Sequence, residues 1–297
     1  MTLALIALAL GLQPQPAGAP APAAQPPDFS KVEIKTTKLA PNFYVLEGQG
    51  GAIGVLTGSD GVFMVDSQFA PLSEKIAAAI KQISDRPIRF MVNTHVHGDH
   101  TGGDENFAKM GVTIISRDEL RARLASPPNG PKPPAAALPL ITYKGAMTVH
   151  MNGEDIQLIA VPVAHTDGDT MVKFPNADVL MTGDFYRSVG FPNIDRANGG
   201  TLNGMLAGLQ AVVDNAGPAT KIVPGHGAIV DKTAVAAHRQ MIMAIRDKVA
   251  ALVQQGKSQE EVVAAKPTSD YDTKVPQADT TSARFVGQLY AEIKGAR

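Results

Sequence analysis

Asn93-Thr94-His95-Val96-His97-Gly98-Asp99-His100-Thr101-Gly102-Gly103 places three imidazoles and a carboxylate within six consecutive residues. The stretch follows an apolar run, Ile88 to Val92, that reads as a buried strand. Imidazole nitrogen and carboxylate oxygen are ligands that a borderline cation such as zinc accepts. Glycines directly after a strand let such side chains converge without a regular element in the way. The loop therefore reads as part of a metal site whose other ligands lie elsewhere in the chain.

Working outward, the flanking pattern is that of a layered α/β protein. Short strands are expected at Val32–Lys35 and Phe43–Leu46. Ala52–Thr57 and Val62–Asp66 form a hairpin around Gly58-Ser59-Asp60-Gly61, which is turn chemistry. A helix over Glu74–Ile83, with Ser73 as its N-cap, separates the hairpin from the strand that delivers the histidine cluster. After the cluster come a short helix near Glu105–Met110, a strand at Val112–Ile115 and a helix over Asp118–Ala125 capped by Ser116. Ser126 to Pro139 is Pro/Ala-rich and reads as a surface loop.

Three later strands each end in a further candidate ligand. Met147–His150 and Ile156–Val161 are joined by the hairpin signal Asn152-Gly153, and the second leads to Ala164-His165-Thr166. Val179–Met181 leads to Thr182-Gly183-Asp184, and Lys221–Val223 leads to Pro224-Gly225-His226-Gly227. The remainder is helical, near Leu202–Val213, Ala234–Gln255, Gln259–Ala265 (Ser258 as N-cap) and Ser282–Lys294. Five of the seven histidines thus sit in three ligand-bearing segments. His150, in a strand, and His238, in a long helix, read as ordinary packing or surface residues.

Composition narrows the class without naming a substrate. A chain of 297 residues with 44% hydrophobic content buries a sizeable core. The formal net charge of -1 gives no electrostatic reason to expect a nucleic-acid partner. The absence of cysteine excludes disulfides, thiolate metal ligands, a cysteine nucleophile and a lipidated-cysteine anchor. Leu3–Leu12 is an apolar stretch too short to span a bilayer, and Ala21-Pro22-Ala23 fits a signal-peptidase site. The expected organisation is a signal peptide over 1–24, a linker over 25–31 and a catalytic domain over 32–297, in a periplasmic or secreted protein with no stable membrane anchor.

His95-Val96-His97-Gly98-Asp99-His100, followed in order by His165, Asp184 and His226, resembles the metallo-β-lactamase superfamily. The resemblance implies an α+β fold, a four-layer αββα sandwich with the metal site at the edge of the two sheets. It implies two zinc ions, one taking His95, His97 and His165, the other Asp99, His100 and His226, with Asp184 bridging. Asp66 resembles a family aspartate that supports the site from behind. The implied function is hydrolysis of an acyl bond in a small molecule by water activated between the ions. Asp99 would be both ligand and proton shuttle, and a β-lactam amide would be the first candidate substrate. Many β-lactamases of the family carry cysteine or serine where this chain has Asp184. An aspartate there resembles glyoxalase II-like thioesterases and lactonases, and an iron-dependent sulfur dioxygenase shares the histidine box. Tyr186, Arg187 and Asn193, in the loop after Asp184, are the candidate substrate contacts, Arg187 as a cation for a substrate carboxylate.

Overall fold

The computed structural model describes residues 28–127 and 132–295; the expected signal peptide and the start of the linker, residues 25–27, lie outside the described residues. Among the described residues, twelve strands form two sheets. The first holds β1 (Lys35–Ala40), β2 (Phe43–Glu47), β3 (Ile53–Leu56), β4 (Val62–Val65), β5 (Ile88–Val92), β6 (Thr113–Arg117) and β7 (Ile141–Tyr143), in that order across the sheet. The second holds β8 (Ala146–Met151), β9 (Glu154–Ala160), β10 (Thr170–Phe174), β11 (Val179–Met181) and β12 (Lys221–Val223), also as neighbours in sequence order. Strands β1 to β4 pair antiparallel and β4 to β7 parallel. In the second sheet β8 to β11 are antiparallel and β11–β12 is parallel.

Side-chain alternation makes the four layers. In β4, Phe63 and Val65 face the second sheet, whereas Val62 and Met64 face outward. The inward set meets Leu158, Val172, Phe174, Val179 and Met181, so the sheets pack face to face through a continuous apolar core. The outward set is covered by α1 (Ser73–Ile83), through Ile76 and Ile80, and by Phe107 of α3 (Asp104–Lys109). On the far side, Met171, Leu180 and Ile222 lie under α5 (Leu202–Asn215), α6 (Lys232–Gln254) and α8 (Ala278–Gly295). Two short helices complete the first half, α2 (Gly98–Thr101) and α4 (Asp118–Ala125), and α7 (Gln259–Ala264) precedes α8. The layering is helix, sheet, sheet, helix, as the resemblance implied.

The topology explains why the ligands meet. Because β9 and β11 both run antiparallel to β10, and β12 runs parallel to β11, the segments after β9, β11 and β12 leave the same edge. Strands β4 and β5 are likewise parallel and end together. The two edges adjoin: Thr170 N donates to Thr94 O at 2.8 Å, and Ala52 N to Gly225 O at 2.9 Å. Loops beyond the carboxyl ends of parallel strands are where open α/β sheets place their sites.

Local details depart from the expectations in three places. Val32–Ile34 is not a strand; Asp28 caps a 3₁₀ turn, Phe29–Lys31, and β1 starts only at Lys35. Ser73 does not cap α1, because a 3₁₀ turn, Ala70–Leu72, runs directly into the helix and the Ser73 hydroxyl donates to Ala70 O. Ser116 belongs to β6 and donates to Arg117 O, leaving α4 without a side-chain cap. The Asn152-Gly153 turn forms as expected, with both residues at positive φ (57° and 72°) as a type I′ turn requires. Ser258 caps α7, and Glu261 closes a reciprocal capping box.

Phe174 is fully buried in the inter-sheet core, its ring centroid 4.6 Å from that of Phe43. Phe174→Ala removes this contact between the sheets and is expected to lower unfolding free energy by about 3–5 kcal/mol, read from urea denaturation.

Candidate metal centre

All seven candidate ligands come together at this edge. Three overlapping groups, each with one ligand atom per residue within 4.8 Å of the others, are His95/His97/His165, His95/His100/Asp184 and Asp99/His100/His226. Asp184 lies between the other two sets, with Oδ1 3.2 Å from His100 Nε2 and 3.3 Å from His226 Nε2. Its Oδ2 is 4.0 Å from His165 Nε2. His97 Nδ1 stands 2.9 Å from His165 Nε2, and His226 Nε2 stands 3.0 Å from Asp99 Oδ2.

The opposite ring nitrogens are already engaged, and that fixes which nitrogens face the centre. His100 Nδ1 lies 2.7 Å from Asp66 Oδ2, His97 Nε2 2.7 Å from Asp195 Oδ2, and His165 Nδ1 2.7 Å from the Asn193 carbonyl. His95 Nδ1 lies 3.1 Å from the Thr94 hydroxyl. Such partners set ring orientation and tautomer, as they do behind metal-ligating histidines. Asp66 works on two fronts, because it also accepts from Thr94 N and Thr94 Oγ1, each at 2.7 Å. It does so from a left-handed backbone, φ 63°, a conformation that Asp tolerates better than most residues.

Two glycines make room for the cluster. Gly183 has φ 56°, and a Cβ there would stand 2.7 Å from Thr94 Oγ1. A Cβ on Gly51 would overlap the His100 ring. Neither position has space for a side chain.

Electrostatics prepare the donors. Burial holds His95 well below the usual imidazole range and brings His165 down to about 4, so both rings are neutral with free lone pairs. Burial opposes charge on Asp184 too, but His100, His95 and His226 outweigh it and keep the carboxyl well below its ordinary range. His100 is the exception. Burial again opposes its charge, yet Asp66 and Asp184 raise it well above the usual imidazole range, so the cluster favours positive charge at its centre.

Two further atoms test the fit to a cation. Among the described residues, His95 Nε2 and Asp184 Oδ1 are buried without a hydrogen-bond partner. Buried lone pairs of that kind are rare unless they ligate. Together with nitrogens facing one another at 2.9 and 3.4 Å, they describe an all-N/O donor set suited to divalent metal.

The sequence profile of the metallo-beta-lactamase superfamily matches residues 40–226. The chain belongs to that superfamily. A metallo-beta-lactamase type 2 of Bacillus cereus is 23% identical over 179 residues, covering 60% of this chain and 67% of the relative. A metallo-beta-lactamase from Pontibacter korlensis superposes with TM-score 0.58 at 18% identity, over 71% of this chain and 99% of that one. A stereoselective inverting sec-alkylsulfatase from Pseudomonas sp. superposes with TM-score 0.66 at 17% identity. The superposition covers 87% of this chain but only 50% of that one. Structures this distant share the fold. Superfamily membership makes the chain a metallo-beta-lactamase-type hydrolase with a candidate metal site.

The candidate substrate contacts occupy different surroundings. Arg187 stands beside the centre, Nη1 3.9 Å from Asp184 Oδ2, and its Nε is buried without a partner among the described residues. Tyr186 turns its ring onto His238, centroids 5.1 Å apart, and burial raises its hydroxyl to about 12. The Asn193 side chain is held by Gln288 Nε2 at 2.8 Å, while its carbonyl orients His165. His150 is exposed and bonded to Asp155, as a surface histidine should be.

Sequence reasoning missed Thr94 and Asp195, which support His95 and His97, and the role of Gln288. Gln288 Oε1 also accepts from Ile194 N at 3.0 Å, so α8 clamps the Asn193–Asp195 segment that positions two superfamily histidines. Asp104 escaped notice as well. It lies buried beneath the motif, accepting from Ser67 Oγ at 2.7 Å and Asn93 Nδ2 at 3.1 Å.

The supporting carboxyls can each be tested. Asp195→Ala frees the outer nitrogen of His97 and should weaken metal binding about 10–100-fold in competition with a chromophoric chelator, with circular dichroism unchanged. Burial raises the Asp104 carboxyl well above the usual carboxylate range, so the folded protein keeps a proton that the unfolded chain releases. Its contribution to stability therefore falls as pH rises above about 4 toward the folded-state pKa. Asp104→Asn should lose that slope, gaining on the parent as pH rises above about 4 in urea melts.

Proposed function

We propose that this chain is a binuclear zinc hydrolase that opens or cleaves an acyl bond in a small anionic compound, with a β-lactam amide as the first candidate. The observation that carries the reading is the double set of donors joined through Asp184, with four of the five histidines fixed from behind. His95, His97 and His165 would hold one ion, Asp99, His100 and His226 the other, and Asp184 would contact both. Zinc bound there supplies Lewis acidity toward the acyl oxygen and lowers the pKa of water to about 7.

The chain's own residues supply position and proton handling. Asp99 is half-buried at the open face, with Oδ2 on His226. It is placed to orient water toward the acyl carbon and to pass its proton to the leaving atom. Arg187, partly exposed and with Nη1 3.9 Å from Asp184 Oδ2, offers a guanidinium for the substrate's anionic group. Tyr186, its hydroxyl kept protonated by burial, lines the approach beside Arg187. An aspartate at position 184, where many β-lactamases have cysteine or serine, favours a thioester or lactone as the second reading. An exported enzyme, acting outside the cytoplasm, fits the apolar N-terminal stretch.

Protein purified without added metal is expected to carry close to two zinc ions per chain by elemental analysis. One iron per chain would overturn the reading. Assayed on nitrocefin, an acyl-lactone and a glutathione thioester, the parent should hydrolyse at least one. Asp99→Asn should lower kcat on that substrate by about 100-fold or more; an unchanged kcat would remove Asp99 from the mechanism.

A further inference from the structure

Beside the metal centre runs an open cleft of about 470 Å³, of which the reading above uses only the end formed by Tyr186 and Arg187. Its floor is one face of α6, where Ala234, Ala237, His238 and Met241 recur at helical spacing. Tyr271 and Val275, in the segment before α8, form the opposite wall. The lining is mostly apolar, and at its inner end lie Tyr186, Arg187 and Ser188. Those residues join the cleft to the centre. Ser188 N donates to the carbonyl of His226 at 3.0 Å, and Arg187 reaches to 3.9 Å from Asp184.

The charge of the cleft is one-sided. Arg187 and Lys274 line it, and among the described residues no Asp or Glu does. His238 adds no charge, because burial brings its imidazole down to about 4. An apolar trough lined by Lys274 and by the partly exposed guanidinium of Arg187 fits an amphiphilic anion, charge toward the metals and hydrocarbon along α6.

We infer that this cleft is the binding site for the hydrocarbon portion of the substrate, an alkyl or aryl substituent on an anionic compound whose charged group meets Arg187. That the ligand is a substrate rests on the hydrolase reading; the site itself is tested by binding. Its two walls, α6 and residues 271–276, both lie beyond the residues that the superfamily profile matches, so membership alone does not supply them.

The test is calorimetric titration of the zinc-loaded protein with octanoate and with butyrate, which share a carboxylate and differ in chain length. Octanoate is expected to bind about tenfold tighter or more, because its extra methylenes leave water. Ala237→Trp fills the cleft from an exposed helical position. It should reduce the octanoate preference to within about twofold while leaving butyrate affinity unchanged. Equal affinities in the parent, or a preference that survives Ala237→Trp, would overturn the inference. A chain-length preference in a protein that hydrolyses nothing in the panel above would retain the cleft and reject the hydrolase. Hydrolysis without any such preference would do the reverse.

Discussion

Asp66 stands at the end of β4 with a left-handed backbone and a carboxylate that is almost wholly enclosed. Its two oxygens take the Thr94 amide, the Thr94 hydroxyl and the His100 ring, each at 2.7 Å. Those three bonds tie the end of one strand to the loop after its parallel neighbour. The strained backbone costs on the order of 1–3 kcal/mol, and hydrogen bonds to a charged group are worth about 1.5–3 kcal/mol each. The bonds therefore outweigh the strain. Their consequence is geometric: with Thr94 fixed, the next residue presents His95 to the centre, and its Nδ1 meets the same hydroxyl that Asp66 orients.

A second carboxylate performs the matching task on the other flank. Asp195 accepts from Asn198 N and Asn198 Nδ2 as well as meeting His97, so a local turn holds it still. Asn193, two residues earlier, gives its carbonyl to His165 and its side chain to Gln288 on α8. The helix also binds this loop through Thr281, whose hydroxyl accepts from Phe191 N, and through Glu292, which accepts from Leu202 N and pairs with Arg196. Helix α8 lies wholly beyond residues 40–226, yet it braces the loop on which His97 and His165 depend.

The candidate ligands were legible in the sequence because they cluster in one short motif or follow apolar runs beside glycines, signals that need no coordinates. The layered fold was legible for a related reason: alternation such as Val62-Phe63-Met64-Val65 declares two buried faces. Other features were not written locally. Asp195 meets a histidine 98 residues away, and nothing in Ile194-Asp195-Arg196 marks it from a solvated turn. Ser73 and Ser116 satisfy every local rule for an N-cap, but a preceding 3₁₀ turn and a strand pairing, respectively, took their backbone elsewhere. Strand β7 has only three residues and forms because β6 offers an edge to it. Where the Ser188–Gly200 loop folds is set largely by α8, which holds Phe191, Asn193 and Ile194.

The centre is also a joint. His95, His97, Asp99 and His100 follow a strand of the first sheet, whereas His165, Asp184 and His226 follow strands of the second. The closest donor contacts, His97 with His165, His100 with Asp184 and Asp99 with His226, all cross that divide. A cation held between such pairs binds only when both sheets are in place, so its binding free energy adds to the cohesion of the sandwich. The apolar inter-sheet core, Phe43 against Phe174, brings the two edges near enough for this to happen. Packing and ligation therefore reinforce each other: the core sets the approach of the donors, and a shared ion would oppose separation of the sheets at the one edge where the core gives way to charged and polar groups.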